Sequence, residues 1–366
     1  MLEIRRGVIV KELFAREGIK GFLVKTGEGE ESKCISYPAL TGDINPGDEV
    51  LLNTTAISLK LGSGGYHYII AKQNTRGKDF SPGGHIMKMR YTPMQIKVLS
   101  VEEEDSPYHQ VMLEADNLDK TPVLVATLHS MLAPLALYLA EKGYKLVYVM
   151  TDGAALPLAF SQTVDYLNKK GILAGTVTTG HAFGGNLEAV NIYSGLIAAR
   201  KVLQADIIVV TMGPGIVGTG TRFGFTGIEQ GQILNAVHSL GGIPIAVPRI
   251  SFSDPRPRHQ GISHHTLTVL SRVCLVEAVV PLPQLPEDNM AYILNQLRQN
   301  GLIERYNVCL EANPAIVRIL KNSGLKHSTM GRGIEEEKEF FLTLGAAARA
   351  AEKLYRQEPL NRIYTA

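Results

Sequence analysis

Three cysteines in 366 residues, Cys34, Cys274 and Cys309, are too few and too scattered for a disulfide framework. None forms a C-x-x-C pair, so a zinc knuckle is not indicated either. Cys274 adjoins the apolar run 275–280 and reads as a small core residue. The chain also has no G-x-x-x-x-G-K-[ST], no G-x-S-x-G and no H-E-x-x-H. Those absences argue against a P-loop enzyme, an α/β-hydrolase and a compact metal motif, respectively. Charge is balanced as well: 37 basic against 35 acidic residues leave +2, with no long basic run. That gives no electrostatic footprint for nucleic acid or an anionic membrane. The N-terminal stretch MLEIRRGVIVKELF lacks an apolar segment of signal-peptide length. The most apolar segment, 122–140, is interrupted by His129, Ser130 and Pro134 and breaks into a strand followed by a helix. A cytoplasmic location is the expectation.

What is present is an ordinary globular composition, 45% hydrophobic and 20% charged, in a chain long enough for two domains. Up to about residue 100 the pattern is β, with short runs at 7–11, 21–26, 49–53, 57–61, 66–71 and 95–101. Asn45, Pro46, Gly47 and Asp48 make a strong turn between two of them. From Thr121 the period changes to strand, loop, helix, repeated. Strands are expected at 122–127, 145–150, 173–178, 207–211, 243–247 and 275–280. Helices are expected at 130–142, 158–170, 187–204, 227–240, 263–272, 288–300 and 334–356. The expected fold class is α/β: a small N-terminal β-barrel-like domain (1–105), a linker (106–120), and a Rossmann-like open parallel sheet with helices on both faces (121–366). The acidic residues from Glu102 to Asp105 read as part of the solvated link.

Glycine crowds most densely after the apolar run 207–210, where Gly213, Gly215, Gly218 and Gly220 fall within eight residues. Glycine lets bare backbone approach a ligand, the geometry that cradles an anion. Gly213, Gly215 and Gly218 satisfy G-x-G-x-x-G directly after a strand. Pro214 lies inside the match, and the first acidic residue in a suitable strand-end position is Asp254, far beyond the roughly 20-residue offset of a dinucleotide fold, so a ligand-facing loop is expected rather than a standard NAD site.

Polar residues gather where each expected strand ends. Thr127, His129 and Ser130 follow the first; Thr151 and Asp152 the second; Thr178, Thr179 and His181 the third; Thr211 and Gly213 the fourth; Ser251 and Asp254 the fifth. In an open parallel sheet these ends share one edge, and ligands bind outside them. Asp152, His181 and His129 are therefore the candidate acid/base groups. Ser130, Thr151, Thr179, Gly184, Gly185, Thr211, Gly213, Gly215, Gly218, Thr219 and Arg222 are candidate ligand contacts, joined by Asp254, Arg256 and His264. Taken singly, Asp152 and Ser130 also suit helix N-caps, and the histidines suit structural hydrogen bonding. Glu188 reads as a first-turn partner of the helix dipole. Alternating Pro255 and Pro257 hold Arg256 and Arg258 on an extended rod, where guanidinium forks suit phosphate or carboxylate. Helix periodicity turns only one of His264 and His265 toward a shared crevice.

The stretches TLHSMLAPLA, TDGAALPLAF, TTGHAFGGNLEAVNIYSG, TMGPGIVGTGTRFGFTGIEQ and DPRPRHQGISHHT, with NPGDEVLLNTTAISLKLGSGGYHY nearer the N-terminus, carry a resemblance. Together they resemble an uncharacterised bacterial protein family classed only as a domain of unknown function. That resemblance covers nearly the whole chain and implies no activity, cofactor or substrate. From the residues, the expectation is a hydrolase or group transferase acting on a small anionic or phosphorylated metabolite. A non-catalytic metabolite sensor and a metal-dependent hydrolase using the histidines are the alternatives. No residue is assigned to a metal and no cofactor is named. The expected partners are the small anionic ligand and a second copy of the chain in a homodimer, with no nucleic acid and no membrane.

Overall fold

The computed structural model describes residues 2–27, 29–62, 64–73 and 81–363, which form two compact units, Met1–Val98 and Leu99–Ala366. The first unit is a closed barrel. Its strands β1 (Ile4–Arg16), β2 (Ile19–Thr26), β3 (Glu31–Ser36), β4 (Glu49–Asn53) and β5 (His67–Lys72) run in the order β1-β2-β3-β5-β4. That order, closed by β1–β4 pairing and with β3 parallel to β5, is the five-stranded Greek-key arrangement of an OB-type barrel. Alternate residues point inward, and Ile9, Phe22, Val24, Cys34, Val50, Leu52 and Ile69 fill the interior with Ile44. Bulges after Ile9 and Glu12 let the long β1 pair with both neighbours. Residues 57–61 do not form a strand, because the helical turn Thr55–Ser58 occupies that segment. A short hairpin of β6 (Ile86–Lys88) and β7 (Ile96–Val98) ends the unit.

Residues 106–120 are not a free linker, and the segment belongs to the second unit. Val101 and Leu118 are buried in its core. Glu103 is buried as well, and its carboxylate accepts the Ser100 N–H at 2.6 Å. The helix His109–Glu114 follows.

The second unit is built on eight parallel strands: β8 (Pro122–Val125), β9 (Leu146–Thr151), β10 (Gly175–Thr179), β11 (Leu187–Ala189), β12 (Ile207–Met212) and β13 (Ile243–Ala246), then, beyond the small pair β14 (Ile250–Ser251) and β15 (Gly261–Ile262), β16 (Val279–Leu282) and β17 (Asn307–Leu310). Their order is β11-β10-β9-β12-β8-β13-β16-β17. Side-chain alternation sends Ile207 and Val209 of β12 into one core, with Leu132–Glu141 and Lys338–Tyr355 as its helices. Ile208 and Val210 face the other core, under Ile192–Ile197, Glu229–Ser239 and Glu287–Gln299. Burial on both faces is why these strands are continuous apolar runs. Among the described residues no helix is long and apolar enough to cross a membrane.

Two expected helix starts move. Residues 187–189 are the edge strand β11, and the following helix begins at Ile192 under a capping box of Asn191 and Ser194. Glu188 is accordingly not a first-turn residue: its carboxylate takes the Thr178 hydroxyl at 2.6 Å and the Gly184 N–H at 2.7 Å. The final helix begins at Lys338, and Glu337 is buried against Arg332 rather than solvated at a helix end.

The glycine loop is anchored to the sheet at Gly213. A Cβ there would lie 2.4 Å from the Ala155 carbonyl oxygen, which is backbone and cannot swing away. Gly213→Ala should therefore cost about 1–3 kcal/mol and lower the melting temperature. A melting temperature equal to wild type would show that the loop after β9 does not pack there.

Candidate functional site

The sheet order fixes where a ligand crevice belongs. From β8 the chain passes through the helix Leu132–Glu141 to β9; from β12 it passes through Glu229–Ser239, on the opposite face, to β13. The two connections diverge at the neighbouring strands β12 and β8, and such a switch point opens a crevice outside the C-terminal strand ends. A cavity of about 240 Å³ is lined there by Leu128, which follows β8, by Ile216, Val217, Gly218 and Gly220, which follow β12, and by Arg249, which follows β13. Arg256, Arg258, His259, His265 and Met330 complete the wall.

Its chemistry is basic and held by a buried carboxylate. Asp254 Oδ2 accepts from Arg249 at 3.1 Å and from Arg256 at 2.8 Å, and Arg332 approaches it at 3.4 Å. Asp254 Oδ1 takes the Arg256 Nε–H at 2.9 Å, completing a two-point fork. Hydrogen bonds from Arg256, reinforced by Arg249, hold the Asp254 carboxyl far below the usual carboxylate range. Arg249 also donates to His259 Nδ1 at 3.1 Å. Burial, followed by the charges of Arg249 and Arg256, pushes the His259 imidazole down to about 3. Burial, then the neighbouring His264, pushes His265 down to about 4. Both rings are therefore neutral near pH 7, and the positive charge of the wall is all arginine.

The glycine loop forms the opposite wall as a small hairpin. Thr226 donates its N–H to the Val217 carbonyl at 3.0 Å, and Thr219 donates to Gly224 at 2.8 Å. The Val217 N–H goes to the Thr226 hydroxyl. These donors are spent inside the loop, and the guanidiniums supply the crevice's charge. Phe225, paired with Gly218 across the hairpin, stacks on His265 with ring centroids 4.0 Å apart. His265 is thus the histidine that reaches the crevice. His264 turns away into a separate cleft of about 580 Å³ that it shares with Arg222, Arg272 and Gln299. Thr219 and Gly215 are exposed, and the Thr219 hydroxyl pairs with Thr221 at 2.9 Å.

The strand-end residues divide into two groups. His129 and Thr211 belong to an internal network. His129 Nε2 meets Ser161 Oγ at 2.6 Å and Nδ1 meets the Met212 carbonyl at 3.3 Å, while Thr211 bonds the Tyr148 hydroxyl at 3.0 Å. Burial pushes His129 down to about 4. Ser161 is itself buried and caps the helix Gln162–Lys169, so this serine–histidine contact is not an exposed nucleophile. Gly184 and Gly185 are a tight turn whose N–H groups serve Glu188 and Thr178. Thr179 is buried against the Met150 carbonyl, and Ser130 bonds Thr329 at 3.3 Å.

Asp152 and His181 stand together beside a group the sequence did not single out. Asp152 is exposed, and its Oδ2 accepts the His181 N–H at 2.9 Å. Gly180 permits that approach, since a Cβ there would lie 2.3 Å from Asp152 Oδ2. Glu229, the first residue of the helix that the glycine loop feeds, receives the Thr151 hydroxyl at 2.6 Å. Burial, with a further push from the Asp152 charge, raises the Glu229 carboxyl to about 7. A glutamate heading a helix signals a dipole partner; nothing in the sequence tells that β9 will enclose it. Arg249 was missed for a similar reason, lying in no motif. Among the described residues no group of three or more His, Cys, Asp or Glu side chains is placed to hold a metal ion.

Residues 33–348 match the family model described as "Protein of unknown function (DUF3866)", nearly the whole chain. The chain belongs to this family. The match begins within β3 of the barrel and spans the whole parallel sheet, so the DUF3866 segment contains every residue of the crevice described above. No curated protein matches the chain.

Proposed function

We propose that the crevice binds a small anionic, phosphorylated metabolite and that the protein is a hydrolase or group transferase acting on it. The observation that carries this is the convergence of Arg249, Arg256 and Arg258 on one cavity at the switch point of a parallel sheet. A cavity of about 240 Å³ is smaller than the roughly 300–1,000 Å³ of drug-sized sites, which suits a compact ligand. Glu229 does not line this cavity; it is proposed as the proton-transfer group because it heads the helix that the glycine loop feeds and its carboxyl, raised to about 7, both gives and takes a proton at neutral pH. Asp152 and His181 flank it.

The test is a panel of small phosphomonoesters, nucleotides, sugar phosphates and carboxylic esters, followed for turnover by wild type, Glu229→Gln and Asp152→Asn. Turnover of a phosphorylated member, reduced by about 10²–10⁴ in Glu229→Gln, is expected. Binding without turnover of any member would return the site to a metabolite sensor. Turnover that survives Glu229→Gln unchanged would remove this residue from the chemistry.

A further inference from the structure

The crevice carries more positive charge than its own residues neutralise, and the surplus specifies the ligand further. Arg249, Arg256 and Arg258 line it, and the carboxylate set among them is the single Asp254. Arg332, behind them, is matched by the buried Glu337, whose Oε1 receives its Nε–H at 2.6 Å. Arg258 forms no ion pair among the described residues; its Nε lies 3.5 Å from His259 Nε2 and its guanidinium lies close to Gly220. Three guanidiniums against one carboxylate leave two positive charges at the cavity. The remaining wall, Leu128, Ile216, Val217 and Met330, is apolar and suits a short organic body.

We infer that the crevice selects a doubly charged tetrahedral group, the terminal phosphate of a monoester, over singly charged anions of the same shape. This rests on the anion-binding reading above and narrows it. Arginine forks recognise tetrahedral oxyanions of either charge by geometry, so charge is what separates them. In a partly buried site the second negative charge meets a net attraction that bulk water would largely screen. Size limits the organic part to a short body, because the cavity is about 240 Å³.

The groups around the cavity do not blur the distinction. Its charged and titratable neighbours are Arg249, Asp254, Arg256, Arg258, His259 and His265, with His264, Arg222, Arg332 and Glu337 behind them. His259 and His265 stay neutral above pH 5, and His264 is likewise shifted down by burial and then by Arg258. A phosphate monoester takes its second charge near pH 6, within the range pH 5–8. Glu229, outside the cavity's lining, has its carboxyl raised to about 7, so the comparison of esters is repeated in Glu229→Gln.

Methyl phosphate and methyl sulfate are near-isosteres that differ by that charge, and calorimetric titration of the full chain at low salt compares them. At pH 8 methyl phosphate should bind at least about tenfold more tightly, and at pH 5 the two should agree within about threefold. Arg258→Ala should bring the pH 8 ratio to within about threefold as well. Its melting temperature without ligand should match wild type, because no ion pair is lost. Equal binding of the two esters at pH 8 overturns the selection for a dianion and leaves the anion site standing. Failure of both esters to bind wild type overturns the anion site itself.

Discussion

Asp254→Asn should destabilise the protein more than any other single change in the crevice. Asp254 is fully buried and is the shared acceptor of Arg249, Arg256 and Arg332. Asparagine keeps the shape but removes the charge and turns one acceptor into a donor facing guanidiniums. Breaking a buried ion pair by removing one partner costs about 3–5 kcal/mol, because the surviving charge stays buried and unmatched. Arg249, itself buried, is that survivor. For a chain of this length the melting temperature should fall on the order of 10 °C. The wild type should show the same linkage as acid lability. A carboxyl held far down in the folded state contributes its stability in full above the unfolded value near 4. That stability is lost as pH falls below it. Melting curves from pH 8 to pH 3 should fall steeply on the acid side for wild type and less so for Asp254→Asn. A variant within two or three degrees of wild type at pH 7 would mean the arginines are held by something else.

Glu229→Gln should do the opposite, and with a different pH profile. Burial raises the Glu229 carboxyl from 4.5 to about 7, so ionising it costs the folded state. The folded pKa lies above the unfolded one, so the group's contribution is fully present below about pH 4.5 and is lost as pH rises through about 7. Glutamine is neutral throughout and still accepts the Thr151 hydroxyl. The variant should match wild type at pH 4–5 and exceed it at pH 8 by at most about 3 kcal/mol, solvent screening bringing the gain nearer half that. Together with lost turnover, that gain would mark a group kept for chemistry at the expense of stability. A variant less stable than wild type at pH 8 would mean that Glu229 is a structural anion.

The sheet was legible in the sequence because parallel strands buried on both faces are runs of apolar residues, and 207–210 is the clearest. What escaped notice were elements stabilised by partners remote in sequence. β11 is three residues long, and its Glu188, read as the start of a helix, bonds instead to Thr178 and Gly184. β17 has only Val308 and Cys309 fully buried. At the site, the glycine loop and the Asp254–Arg256–Arg258 segment were visible from composition, and they do meet at one crevice. The choice of His264 over His265 was a matter of about 100° on a helix, which periodicity leaves open. Arg249 and Glu229 gain their meaning from burial alone. The strand-end threonines and Gly184–Gly185 show the reverse: polar residues at strand ends hold the loops that they look poised to leave.

The anion site is tested most directly by a crystal of the full chain soaked with 2-bromoethyl phosphate, whose bromine can be located by anomalous scattering. The expected result is a phosphate within hydrogen-bond distance of Arg249, Arg256 and Arg258, with the bromoethyl group toward Ile216 and Met330. A bromine peak in the cleft of His264 and Arg222, or none in the crevice at saturating ligand, would contradict it.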